Sequence, residues 1–143
     1  LLLIGEGIDN NPQLKSLINS LNLDNQIILC GRKNNIHRWL AAMDLFILPS
    51  LWGEAFPNVL GEAMSTSLPC IVSNVGDSAH ILGNCGLIIE KSISSSLIEM
   101  FDLTQEDRNN LGVLSRKRIV NKFSLSSTVE KYHNEYQNMC RNI

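Results

Sequence analysis

Long apolar runs are absent from this sequence. No stretch of eighteen or more apolar residues occurs, so no segment has the length to span a membrane as a helix. The opening Leu1-Leu2-Leu3-Ile4 is too short for a signal peptide and has no basic flank. It reads instead as a buried strand entered without a preceding loop, which suggests a chain cut from something longer. Charge is also scarce. With 18% charged residues and a formal net charge of -2, nothing attracts the chain globally to nucleic acid or acidic lipid. The four cysteines (Cys30, Cys70, Cys85 and Cys140) include no Cys-x-x-Cys and have no histidine cluster beside them. That spacing argues against both a zinc site and a disulfide framework, leaving reduced thiols in a cytoplasmic protein as the simpler expectation. Internal repeats, low-complexity linkers and Asp-x-Asp motifs are likewise missing.

What is present is the making of an ordinary domain: 143 residues, 44% of them hydrophobic. Short apolar runs alternate with helical patterns, which argues for a parallel sheet with helices on its faces, an α/β fold. Strands are expected at Leu1–Gly5, Gln26–Cys30, Leu45–Pro49, Cys70–Ser73 and Gly86–Ile89. Helices are expected near Pro12–Leu21, Asn35–Met43, Asn58–Ser65 and Ser78–Leu82. Pro57 stands where a helix would start, a position that needs no N–H.

Beyond about residue 91 the strands stop and helices follow: Ser92–Leu103, Thr104–Asn121 and Ser124–Arg141. In the last, Leu125, Val129, Tyr132, Tyr136, Met139 and Ile143 form one apolar stripe at alternating spacings of four and three. Ser127 and Glu130 have the spacing of a capping box. Packing of the stripe on this same domain is the simpler reading, and docking on a neighbouring domain is the alternative.

The segment from Pro49 to Met64 carries the chemistry. A strand ends, a loop follows, and a helix begins near Pro57, leaving the N–H groups of Asn58, Val59 and Leu60 without helical partners. With the positive end of the helix dipole they make an anion site suited to a diphosphate. Glu54 precedes the helix, and Glu62 lies on its second turn, roughly 7 Å along the axis at ~1.5 Å per residue. Such carboxylates accept hydrogen bonds from the hydroxyls of a sugar or a ribose. Two acids beside a phosphate site need offsetting cations, and Arg32 and Lys33 at the end of the second strand are the nearest by topology.

Taken alone, the two glutamates could be solvated surface residues. As a string, however, Glu54, seven residues and Glu62, with Phe56-Pro57-Asn58 between and Ala63-Met64 after, resembles the donor-site motif of glycosyltransferase family 4. The resemblance continues through Gly5-Glu6-Gly7, Ile28-Leu29-Cys30-Gly31, the run from Asp44 to Ser50, Pro69 to Ser73, Val75-Gly76-Asp77, Gly86 to Ile89 and Lys122-Phe123-Ser124. It implies the carboxyl-terminal, donor-binding half of a GT-B enzyme: a Rossmann-like open parallel sheet, residues 1–123, lacking its first strand–helix unit. Residues 124–143 would form a helix packed on it or on a missing amino-terminal acceptor domain.

By that resemblance Glu54 is the catalytic residue, touching the transferred sugar. Phe56, Pro57, Asn58 and Val59 lie along the sugar and diphosphate, Glu62 holds the ribose, Gly31 and Arg32 border the base, and Ser50 lies near the site floor. The resemblance further implies a retaining reaction without metal or cofactor, a nucleotide diphosphate sugar as donor, and a glycan or lipid-linked acceptor, as in surface polysaccharide synthesis. The full enzyme would be cytoplasmic or peripheral at the inner membrane face. The fragment itself would be inactive, and its exposed sheet edge would favour a homodimer.

The sequence departs from the family at three places. The first-unit arginine and lysine would precede Leu1. Ser67 stands where the family often has glycine, at a turn that glycine would otherwise fill. His80 stands in place of a glutamate, and its simpler reading is a surface or capping residue. The alternatives are a non-catalytic nucleotide-sugar-binding or self-association module and a fragment of a GT-B epimerase. Gly5-Glu6-Gly7-Ile8-Asp9-Asn10 lacks the third glycine of a dinucleotide fingerprint. Arg116-Lys117-Arg118 reads as a solvated helix face.

Overall fold

A computed structural model describes residues 1–141. They fall into two compact units, Leu1–Ile36 and His37–Ile143, where the sequence suggested one domain through residue 123. The division follows the strand ladders, because pairing is a tertiary choice that apolar runs do not encode. In the first unit β1 (Leu2–Ile4) pairs in parallel with β2 (Ile28–Cys30), Leu3 opposite Leu29. In the second, β3 (Phe46–Leu48), β4 (Cys70–Ser73) and β5 (Leu87–Ile89) form a separate parallel sheet in that order.

Within the first unit α1 (Pro12–Ser20) starts as its sequence dictates. Asn11 caps it by accepting the Leu14 N–H at 3.0 Å, Pro12 occupies the first turn, and Ile18 supplies the buried residue. A short 3-10 turn over Ile8–Asn10, not anticipated from the sequence, fills the gap after β1. Its Asp9 carboxylate lies where a side chain on Gly31 would have to go.

Among the described residues the α-helices continue with α2 (Ile36–Leu40), α3 (Asn58–Ser65), α4 (Ser78–Leu82), α5 (Ile93–Asp102), α6 (Gln105–Phe123) and α7 (Leu125–Arg141). The second unit's core gathers on the central strand. Cys70, Ile71 and Val72 of β4 are fully buried with Leu60 and Met64 of α3, Ile81 and Leu82 of α4, and Met100 of α5. Burial pushes the Cys70 thiol up to about 12, and its S–H is turned to the Leu68 carbonyl at 3.3 Å. Ser67 adopts the left-handed conformation at φ 61°, the turn for which glycine is the easy choice. Helix α6 then crosses so closely that a side chain on Gly112 would collide with the Ser67 carbonyl oxygen.

Two expectations for the chain's end are corrected. A capping box does form, but on α5, between Ser92 and Ser95. In α7 the cap is Ser124, whose Oγ accepts the Ser127 N–H at 3.2 Å, so Ser127 lies inside the helix rather than before it. The reason is that only Ser124 separates α6 from α7, so the helix starts earlier than a Ser127 cap would require. Nor does the α7 stripe bury itself on this domain: Leu125, Val129, Tyr132, Tyr136 and Met139 are all exposed, and no described residue of the helix is buried. Ile143 lies outside the described residues.

Candidate functional site

The carboxyl ends of β3 and β4 open into the two loops that build the site, 49–57 and 74–77. In parallel sheets such loops are where ligands bind. Ser73, the last residue of β4, donates its hydroxyl to the Ser50 carbonyl at 2.6 Å and thereby ties the start of the first loop to the sheet. Ser50 in turn donates its own hydroxyl to Glu54 Oε1 at 2.7 Å. The Glu54 carboxylate is thus held, half-buried, by a relay of two serines that starts in the central strand. A hydrogen bond to a charged acceptor is among the stronger kinds.

Beyond Glu54, the Asp77 N–H donates to the Ala55 carbonyl at 2.9 Å. Gly76 lies so close to the Glu54 and Ala55 carbonyls that any side chain there would collide with them. At its own φ of 55° glycine is also the favoured residue. The second loop therefore fixes the backbone of the first.

Helix α3 begins at Asn58 with Pro57, itself buried, just outside it in extended conformation. The Leu60 N–H already bonds to the Pro57 carbonyl at 3.1 Å, which corrects the expectation that it is open. The first turn tightens after proline, and the open donors are the N–H groups of Asn58 and Val59. Glu62, one turn on, is exposed, as is Asn58, while Val59 is half-buried. Phe56 packs its ring 5.9 Å from Phe123 and remains 45% exposed.

Ser50, Glu54, Phe56, Pro57, Asn58, Val59 and Glu62 are thus gathered around one loop and one helix start in the second unit. Gly31, Arg32 and Lys33 belong to the first unit, just after β2, with Arg32 exposed and Lys33 half-buried. Among the described residues no three His, Cys, Asp or Glu side chains gather as metal ligands. No helix among them is long and apolar enough to cross a membrane. His80 lies exposed, edge-on to Phe123 at 5.8 Å. Sequence reading placed Ser73, Gly76 and Phe123 in family-like segments but gave them no role at the site. Ser73 carried a signal, as a lone hydroxyl ending an otherwise apolar strand.

The chain is similar to known proteins. Residues 1–103 match the family described as glycosyl transferases group 1. A UDP-Gal:alpha-D-GlcNAc-diphosphoundecaprenol alpha-1,3-galactosyltransferase of Escherichia coli is 34% identical over 99% of this chain and 37% of its own length. The N-acetyl-alpha-D-glucosaminyl L-malate synthase of Bacillus anthracis is 28% identical over 99% of this chain and 38% of its own. The chain therefore spans well under half the length of either. The crystal structure of Anabaena HepE in complex with UDP shares the fold at a TM-score of 0.82 and 20% identity, over 96% of this chain and 40% of that one.

Proposed function

The chain belongs to the group 1 glycosyl transferases, and we propose that it is the part of such an enzyme that holds the donor, a uridine diphosphate sugar. The observation that carries this reading is the Glu54 carboxylate, fixed by Ser50 at 2.7 Å beside the open amino terminus of α3. A diphosphate at that terminus meets the Asn58 and Val59 N–H groups and the positive end of the helix. Glu54 then accepts hydrogen bonds from hydroxyls of the sugar on one side, and Glu62 from the ribose on the other. Phe56 and Pro57 line the path between them. The uridine choice is supported by a relative whose name begins with UDP-Gal and by the neighbour that holds UDP.

Transfer breaks the bond between the sugar's anomeric carbon and the diphosphate oxygen and forms one from that carbon to an acceptor hydroxyl oxygen, whose proton passes to the departing diphosphate. The charge developing on the leaving oxygen falls to fixed amides and basic side chains, which is electrostatic catalysis without a metal. We assign the reaction retention of anomeric configuration. The acceptor, a glycan or lipid-linked sugar of a surface polysaccharide, is held on this reading by the remainder of the enzyme, since the chain spans 37% of its galactosyltransferase relative. Alone, the chain binds donor without transferring it.

Calorimetric titration with UDP, GDP and ADP sugars tests the donor site. The expected result is saturable binding of a UDP sugar, weakened about tenfold, ~1.4 kcal/mol, by Glu62→Ala. Equal affinity in both proteins would overturn the assignment. Transfer by the whole enzyme should survive EDTA, and loss of activity restored by a divalent cation would refute metal independence.

A further inference from the structure

Resting on the donor-site reading, we propose that Phe123 and Arg118 of α6 are positioning residues for the loop that carries Glu54. Phe123 is the last residue of α6, and its ring is the shared contact of three others. Phe56 lies 5.9 Å away at 55°, His80 lies edge-on at 5.8 Å, and the Arg118 guanidinium carbon stands 5.8 Å from the ring centroid.

Arg118 is itself pinned. Its Nε donates to the Ile81 carbonyl at 2.8 Å and its Nη2 to the His80 carbonyl at 2.6 Å, at the end of the short helix α4. Gly83 leaves the room for this: a side chain there would meet the guanidinium at 2.6 Å. The order of support is therefore α4 carbonyls, Arg118, Phe123, Phe56. The Glu54–Phe56 segment is held from one side by Asp77 through the Ala55 carbonyl and from the other by the Phe123 ring. Phe56 is 45% exposed, so without Phe123 it would lose an aromatic partner and the segment would keep only its backbone clamp and the Ser50–Glu54 hydrogen bond.

The test compares the wild-type chain with Phe123→Leu, Phe123→Tyr and Arg118→Lys. Backbone amide shifts and hydrogen exchange are followed without ligand, and calorimetry with UDP and with UDP-galactose follows. Phe123→Leu should move and speed the exchange of the Glu54, Ala55 and Phe56 amides specifically, with Phe123→Tyr restoring them and Arg118→Lys intermediate. It should raise the Kd for UDP-galactose about tenfold while that for UDP changes less than about threefold, because Glu54 addresses the sugar and Glu62 the ribose. Unmoved loop amides in Phe123→Leu overturn the proposal. So do changes spread evenly through His37–Arg141 with a lowered Tm, which mark a merely structural residue. If wild type binds neither ligand, the donor-site reading fails, while the ligand-free amides still decide the positioning role.

Discussion

A single hydroxyl decides how sharply Glu54 is aimed. Ser50 is four residues before it, and their hydrogen bond at 2.7 Å closes the loop on itself. Ser50→Ala should lower transfer by the whole enzyme about tenfold, ~1.4 kcal/mol of lost transition-state stabilisation. The chain's melting temperature should change little, and a transfer rate unchanged from wild type would show that Ser50 does not orient the acid. Ser67 is a case where strain, not contact, is at stake. Its φ of 61° is costly for any residue with a Cβ. Ser67→Gly should stabilise by about 1 kcal/mol and raise Tm by about 3 °C, allowing for the extra chain entropy of glycine. A lower Tm would mean that the serine side chain has a compensating contact. The helix start after Pro57 was legible from sequence, because a proline after a strand and a loop leaves few alternatives, whereas the two glutamates stood out only through the family resemblance. Ser73 and Gly76 were not, since each acts on a loop more than twenty residues away.

At the scale of elements, every expected strand and helix is present, with ends displaced by at most three residues, the largest at α2, which stops at Leu40 rather than Met43. Four of the five strands come out one or two residues shorter than the apolar runs that announced them, because only the paired residues count as strand, while β4 matches its run. Helix α7 shows where pattern stops being informative. Its spacing of Leu125, Val129, Tyr132, Tyr136 and Met139 revealed an apolar face, but periodicity is silent about what covers it. In the structure that face is open, with Leu125 81% exposed. Val129→Ser and Tyr132→Ser should therefore each shift the unfolding free energy of this chain by less than about 0.5 kcal/mol. Leu60→Ala in the buried face of α3 should cost about 2–5 kcal/mol. Urea denaturation distinguishes the two classes, and a large loss from Tyr132→Ser would show that the stripe packs within the chain.

For the molecule as a whole, the family was legible because its motif combines two acids with a strand end and a helix start. The partition into Leu1–Ile36 and His37–Ile143 was not, since no local feature announces which strands pair. The second unit is organised on β4, and its Cys70 thiol, raised from 9.0 to about 12 by burial, makes stability depend on pH in a defined sense. Above pH 9 the unfolded chain releases that proton while the folded chain keeps it, so the unfolded state binds fewer protons. Stability should be insensitive to this thiol below pH 9 and fall as pH rises toward 12. A Cys70→Ala variant with the same alkaline slope would assign the loss to other groups. Only the thiolate attacks a labelling reagent, so Cys70 stays silent until β4 comes apart. The exposed Cys140 reacts at once. Once the half-exposed Cys30 and Cys85 are replaced, the lag between the two modifications is a stopwatch built into the protein, one that times how often its central strand opens.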